Sequence, residues 1–216
     1  MTYDLPVYEA PAIEADAHRL RQMFETNVFG LFNMVTAFTP LLIGAVSDKS
    51  PAPVVVNVAS VLARLPMPFA SGYNATKAAV ASYSDTLRLE LDPLGVKVLT
   101  LFMGEVSTSL MVPESVQFRK DSLYIDFEPK VKERSSTHTR ESIKTGPFAK
   151  QVVSQVLATT PTSYIWKGTN AFLVWFLNAV GPRKVFDSTM KKAAGLDDAA
   201  LVGKIYQKAQ DVTEQK

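Results

Sequence analysis

The chain has 216 residues, of which 47% are hydrophobic and 20% charged, enough for one domain with a sizeable core. A net charge of +2, from 23 Lys+Arg against 21 Asp+Glu, is too balanced for a nucleic-acid surface, and the lack of Cys excludes disulfides, thiolate nucleophiles and Cys-based zinc sites. The ten glycines never lie closer than the eight positions between Gly195 and Gly203, whereas every Gly-rich phosphate cradle needs glycines two to five apart, so this sequence contains no such cradle.

Residues 1–14 are acidic and polar with Pro6 and Pro11, which reads as loop and lacks the basic-then-apolar pattern of a signal peptide. No apolar run approaches the ~20 residues of a membrane span, and the expected setting is cytoplasmic. From Ala15 to Leu42 the residues Leu20, Met23, Phe24, Val28, Leu31, Phe32, Val35 and Phe38 recur at steps of three and four, predicting one amphipathic helix that ends near Pro40. Asn27 falls on its apolar face, where an unpartnered amide is costly, so a fixed hydrogen-bond role is expected. Val54–Val58 is a β-branched run suited to a strand covered on both faces. A helix follows from Ser71 to Leu91, stopped by Asp92-Pro93-Leu94-Gly95, and Val96–Phe102 is the next strand. Strand, helix, strand in this order is a right-handed βαβ unit with parallel strands.

Residues 111–147 mix Lys and Arg with acids and Ser/Thr, and read as a long surface excursion with one helical turn, either a solvated insertion or a lid over a pocket. Helices are expected over 148–159, 170–180, 182–194 and 198–210, with a short strand at Tyr164-Ile165-Trp166. The only histidines, His18 and His138, are too far apart in sequence for a helical ligand pair, so no metal site is expected. The apolar stretch around Trp166 and Phe172–Leu177, flanked by Lys167, Arg183 and Lys184, has two readings: a membrane-interface contact over 166–184, or a pocket wall or subunit contact.

Tyr73 and Lys77 stand four apart, on one face of the 71–91 helix. Seven Tyr among many Lys make that spacing common by chance, but Ser60, just past the carboxyl end of the 54–58 strand, makes a coincidence less economical. Ligands of open α/β sheets gather at those strand ends. A phenol of pKa ≈ 10 is a poor acid or base at neutral pH, and an ammonium one turn away is expected to lower that value. Tyr73 then serves as general acid/base toward a carbonyl or alcohol oxygen, and Ser60 hydrogen-bonds the same oxygen. The alternative is a half-buried helix tyrosine, a solvated lysine and a turn serine.

The stretch from Val54 to Ala79, VVVNVASVLARLPMPFASGYNATKAA, resembles the active-site strand, serine loop and Tyr-x-x-x-Lys helix of the short-chain dehydrogenase/reductase family. Asn27 in ETNVFGLFN resembles that family's fourth catalytic residue, whose helix kinks so that its backbone binds a water. Met103-Gly104-Glu105-Val106-Ser107-Thr108 resembles its Pro-Gly-x-Val-x-Thr segment, with Met103 in place of Pro. The resemblance implies a Rossmann-like, three-layer α/β/α doubly wound parallel sheet. It also implies catalytic Asn27, Ser60, Tyr73 and Lys77, and contacts to an NADP (or NAD) cofactor from Asn27, Tyr73, Lys77, Val106 and Thr108. The implied reaction is NAD(P)H-dependent reduction of a ketone or oxidation of the matching alcohol, in a homo-oligomer.

The tail SYIWKGTNAFLVWFLNAVGPRKVFDSTMKKAAGL is similar to fungal reductases of the 1-acyl-dihydroxyacetone-phosphate reductase kind. That similarity implies a lipid-like substrate and a peripheral place at endoplasmic reticulum or lipid droplet. Met1 aligns just past the family's Asn-Asn-Ala-Gly segment, so the first four strands and the pyrophosphate turn have no counterpart, and the chain reads as a single partial domain. Within it, 111–147 is the variable substrate or lid region and 167–216 the C-terminal helices. Two further readings follow: a cofactor-free pseudoenzyme, pairing module or acid/base isomerase or cyclase, or a chain whose upstream coding sequence carries the glycines.

Overall fold

The computed structural model describes residues 7–48, 50–111 and 113–214. In chain order it contains α1 (Ala17–Phe24), a π turn (Glu25–Phe29), α2 (Gly30–Gly44), β1 (Val54–Ser60), α3 (Ser71–Leu91), β2 (Lys97–Met103) and β3 (Val106–Ser107). It continues with α4 (Glu128–Glu141), β4 (Ile143–Lys144), α5 (Thr145–Val156), β5 (Tyr164–Lys167), α6 (Ala171–Val180), α7 (Asp187–Ala194) and α8 (Ala199–Glu214).

The main sheet runs β1-β2-β5, all parallel. The period of two along β2 divides its side chains between two covered faces. Val98, with Val96, meets Val35 of α2 and Leu87 and Leu91 of α3, and Phe102 meets Val80 and Ala81. Leu99 and Leu101 turn the other way and join Ile165, with Phe148, Val152 and Val156 of α5 over them. Both faces are dry, which is why the strand reads as a continuous apolar run rather than an alternating one. Three layers, α1–α3, sheet and α5, follow from that single fact. Asn57 is the polar exception on β1, and it is satisfied: its amide donates to Ser84 Oγ at 2.9 Å, which donates to the Val80 carbonyl at 2.7 Å. Among the described residues no strand pairs with the outer edge of β1, and Val58 there is 40% exposed.

Two expectations are corrected. The 15–42 helix is not one regular helix: it breaks into a π turn at Glu25–Phe29, where the Gly30 N–H reaches back to the Glu25 carbonyl, and α2 then runs through Pro40 to Gly44. Together these segments span 28 residues and meet the length and composition of a membrane span, contrary to the reading from the sequence. Their inner side is nonetheless built into this fold, with Phe32 stacked on Tyr83 of α3 at 4.0 Å. The second correction concerns 111–147, which is no solvated excursion. Phe127 and Val131 are fully buried together with Val116, Phe118, Phe69 and Ala194, and α4 is a four-turn helix on that cluster. The segment's charges misled because α4 enters the cluster through Val131 alone, while its other positions are polar and several of them, Lys130, Glu133 and Arg134, line the cavity. A small parallel pair, β3 with β4, ties the end of α4 back to the loop after β2.

Candidate active site

β1 delivers Ser60 at its carboxyl end, where the strand passes into a single 3-10 turn. The Ser60 hydroxyl caps that turn by accepting the Leu62 N–H at 3.1 Å, and it reaches the Met103 carbonyl at the end of the neighbouring strand at 3.4 Å. α3 delivers Tyr73 and Lys77 from adjacent turns. Tyr73 is 7% exposed and lines the same cavity as Ser60, whose side chain offsets part of the effect of burial on the Tyr73 hydroxyl. Lys77 is half-buried; its ammonium donates to the Val58 carbonyl at 3.0 Å and lies 5.6 Å from the centre of the Tyr73 ring.

Asn27 joins this group from the π turn. Its amide donates to Thr76 Oγ1 at 3.2 Å, and the Thr76 hydroxyl donates to the Tyr73 carbonyl at 2.8 Å. The fixed role expected for that amide is therefore a brace between α3 and the turn that carries Asn27. A π turn widens the helix by one residue and leaves backbone carbonyls without their usual partners, which is why such turns collect at functional sites. Ser60, Tyr73 and Lys77 thus gather at the carboxyl end of β1, and Asn27 is linked to α3 through Thr76.

The predicted electrostatics are not found. Burial pushes the Tyr73 hydroxyl up to about 12, offset only in part by Ser60, and burial pushes Lys77 down to about 8. The ammonium expected to lower the phenol instead faces the Val58 carbonyl, and desolvation outweighs it. A stability consequence follows. Unfolded, Lys77 keeps its proton to about 10.5, whereas folded it loses it near 8, so between those values the unfolded state binds more protons and stability rises with pH. The Tyr73 contribution has the opposite sign but begins only above 10, where the unfolded phenol ionises and the folded one does not. From pH 8 to 10 the wild-type chain is therefore expected to gain stability relative to Lys77→Met, by at most about 1.4 kcal/mol per pH unit, read from denaturant midpoints. A flat difference across that range overturns the assignment.

Gly104 shows why its motif needs glycine. A Cβ at that position would lie 2.3 Å from the Thr169 carbonyl oxygen, because Gly168, with φ +105°, brings the backbone after β5 against it. Val106 is buried beyond it, and the Thr108 hydroxyl accepts the Leu110 N–H at 3.3 Å.

Ser60 and Tyr73 open onto a cavity of about 370 Å³ whose lining includes Val106 and Thr108 and is largely apolar, with Leu62, Leu65, Leu110 and Met111 prominent. Reading the sequence missed the opposite wall, which α4 supplies. There Arg134 is ion-paired with Glu9, and burial holds the Glu9 carboxyl above its ordinary range despite that guanidinium. Next to them His138 Nδ1 lies 3.8 Å from Glu105 Oε2, and burial pulls the imidazole below its usual value, Glu105 opposing. No spacing signal links Glu9 or Glu105 to α4, since both partners are distant in sequence and meet only through the packing of Phe127 and Val131. Among the described residues no group of His, Asp or Glu is arranged to hold a metal.

The sequence profile described as short chain dehydrogenase matches residues 8–117, which hold Asn27, Ser60, Tyr73, Lys77, Val106 and Thr108. The chain belongs to the short-chain dehydrogenase/reductase family. As a member it is similar to the short-chain dehydrogenase srdE of Neurospora crassa, at 32% identity over 92% of this chain and 69% of that protein. It is also similar to virD of Hypocrea virens, at 33% over 83% of this chain and 61% of that one, and to fogD of Aspergillus ruber, at 32% over 84% and 62%. This short-chain dehydrogenase/reductase chain thus spans between 61% and 69% of the length of these three relatives.

Two solved structures bear out the Rossmann-like fold. One is a short-chain dehydrogenase from Burkholderia cenocepacia in complex with NADP (TM-score 0.60, 24% identity, 86% of this chain and 65% of that one). The other is a short-chain dehydrogenase from Streptomyces avermitilis (TM-score 0.64, 21% identity, 89% and 68%).

Proposed function

We propose that the chain carries the catalytic part of a nicotinamide-dependent oxidoreductase that reduces a hydrophobic ketone or oxidises the matching alcohol. The observation that carries this reading is that Ser60 and Tyr73 line the same apolar-walled cavity at the carboxyl end of β1. A substrate carbonyl oxygen placed between the two hydroxyls accepts a hydrogen bond from Ser60 and a proton from Tyr73. Because Tyr73 holds its proton to about 12, it stands ready as donor throughout the physiological range. When bound, the nicotinamide supplies or takes up the hydride. The residues present fit that end of the cofactor: the Lys77 ammonium has three donors and gives one to Val58, leaving the others for ribose hydroxyls. Tyr73, Val106 and Thr108 line the cavity beside it, with NADP as the favoured form because it is bound in the Burkholderia relative of this fold. The apolar lining supports a hydrophobic substrate and excludes water from the oxygen being protonated. The reading is tested by following NADPH oxidation with hydrophobic ketones of graded length. Turnover is expected to rise with chain length until about 370 Å³ is filled.

A second reading rests on the glycine spacing. With no two glycines closer than eight positions, this sequence has no pyrophosphate turn of its own, and the Asn27, Ser60, Tyr73 and Lys77 group would then perform cofactor-free acid/base chemistry. Fluorescence titration of the 216-residue chain with NADPH is expected to give a dissociation constant weaker than about 10 μM, since the dinucleotide would be held by its nicotinamide end alone. Binding tighter than that removes the second reading.

A further inference from the structure

We propose that α6 is a membrane-docking helix, which rests its outer face on an anionic lipid surface. Its inner residues Ala171 and Val174 are buried against Val61 and Leu65, the turn that also walls the active-site cavity. At 100° per residue the outer residues Trp175, Ala179, Phe172, Phe176, Val180 and Leu173 fall in that angular order, forming one arc of about 160° with no polar residue in it. They are exposed: Phe172 by 70%, Leu173 by 54%, Phe176 by 46% and Val180 by 65%. A helix of 10 residues is about 15 Å long, half the hydrocarbon thickness, so it can lie in an interface but not cross it.

The charge around it says what covers this face. Between 164 and 192 stand Lys167, Arg183, Lys184, Lys191 and Lys192 against Asp187 alone, a surplus of four in a chain whose net charge is +2, so the rest of the chain is net negative. Apolar aromatic contact flanked by cations is the combination that binds anionic bilayers. The outer face of α2 makes the contrast: Met34, Phe38 and Leu41 are as exposed, but over matching flanks, residues 23–56, the sequence has Glu25 and Asp48 against Lys49 and so no cationic surplus. Docking through α6 would set the cavity wall formed by Val61 and Leu65 directly behind the lipid-bound helix, within reach of a ketone dissolved in the bilayer.

The test is flotation of the 216-residue chain with vesicles of phosphatidylcholine alone or with about 30 mol% phosphatidylserine, at low and high salt. Binding is expected to the anionic vesicles, to weaken at least about tenfold in 0.5 M salt, and to fall about 100-fold in Phe172→Ser/Phe176→Ser and about tenfold in Arg183→Glu/Lys184→Glu. Those substitutions touch exposed positions only, and circular dichroism verifies that the variants fold. Met34→Ser/Phe38→Ser on α2 is expected to bind as wild type. In a Trp166→Phe background, Trp175 emission is expected to shift to the blue on binding and to be quenched by brominated lipid.

Failure to float with any vesicle overturns the proposal, as does equal binding to neutral and anionic vesicles. Loss of binding on the α2 substitution but not the α6 one also overturns it. So does a dimer in sedimentation that Phe172→Ser/Phe176→Ser dissociates in the absence of vesicle binding, which would make this face a subunit contact.

Discussion

Replacing Tyr73 with Phe is expected to lower turnover by about 10³-fold while leaving the fold and cofactor affinity close to wild type. The phenyl ring keeps its contacts with Val7 and Met23, so only the hydroxyl is lost. Steady-state rates with a hydrophobic ketone, paired with a denaturant titration, separate the two effects. A Tyr73→Phe chain that turns over within tenfold of wild type removes Tyr73 from the proton transfer. The same experiment across pH distinguishes the roles of the two partners. Because Tyr73 holds its proton to about 12, a fall in carbonyl reduction near pH 8 is expected to track Lys77, whose ammonium is lost there, and to disappear in Lys77→Met along with most of the rate.

Phe127→Ala is expected to cost 3–5 kcal/mol, a value typical of deleting a fully buried aromatic ring. Phe127 is completely buried, its ring 6.1 Å from those of Phe69 and Tyr124, and it underlies α4, which brings Arg134 and His138 to the cavity. A chain in which 111–147 were a solvated loop would tolerate the change within 0.5 kcal/mol, as surface positions usually do. Urea midpoints decide between the two. Limited proteolysis is expected to cut the variant within 111–147 before the sheet is attacked, since the local cluster is separate from the β2 core.

The candidate group was legible in the sequence because the position of each member follows a local rule. Tyr73 and Lys77 share a helix face by their spacing, Ser60 sits where a Val-rich strand must end, and Asn27 occupies an apolar stripe that demands a partner. The strands β1, β2 and β5 were legible for a related reason: a strand covered on both faces is written as an unbroken apolar run, and turn chemistry marks its ends. The bounds of the helices were legible only to within a few residues. The helix expected over 182–194 begins at Asp187 rather than at Pro182, where a turn held by the Val185 N–H on the Pro182 carbonyl stands instead.

What escaped the sequence has a common cause. The π turn at Glu25–Phe29 inserts one residue into a helix without changing its apolar period enough to be seen. Residues 111–147 looked solvated because a helix lying on one narrow apolar stripe is polar over most of its circumference. Only six residues there, buried Val116, Phe118, Phe127 and Val131 with Tyr124 and Ile125 packed against them, report the core they enter.

Spacing along helix and strand, together with residue type, determined by itself that Tyr73 and Lys77 share a helix face and that Ser60 stands at a strand end, while Asn27 entered the group only through the family resemblance. It also determined that no glycine cradle is encoded in these 216 residues. Only the tertiary structure decided the protonation of that group and the identity of the facing wall. Spacing places Lys77 one turn from Tyr73, but whether an ammonium outweighs desolvation depends on how deeply both are buried and on which acceptor the ammonium finds. Here burial prevails and Val58 takes the hydrogen bond. The wall was undetermined for the same reason: Glu9 meets Arg134 and Glu105 meets His138 across long stretches of chain, and contacts of that range exist only once the core between them has packed.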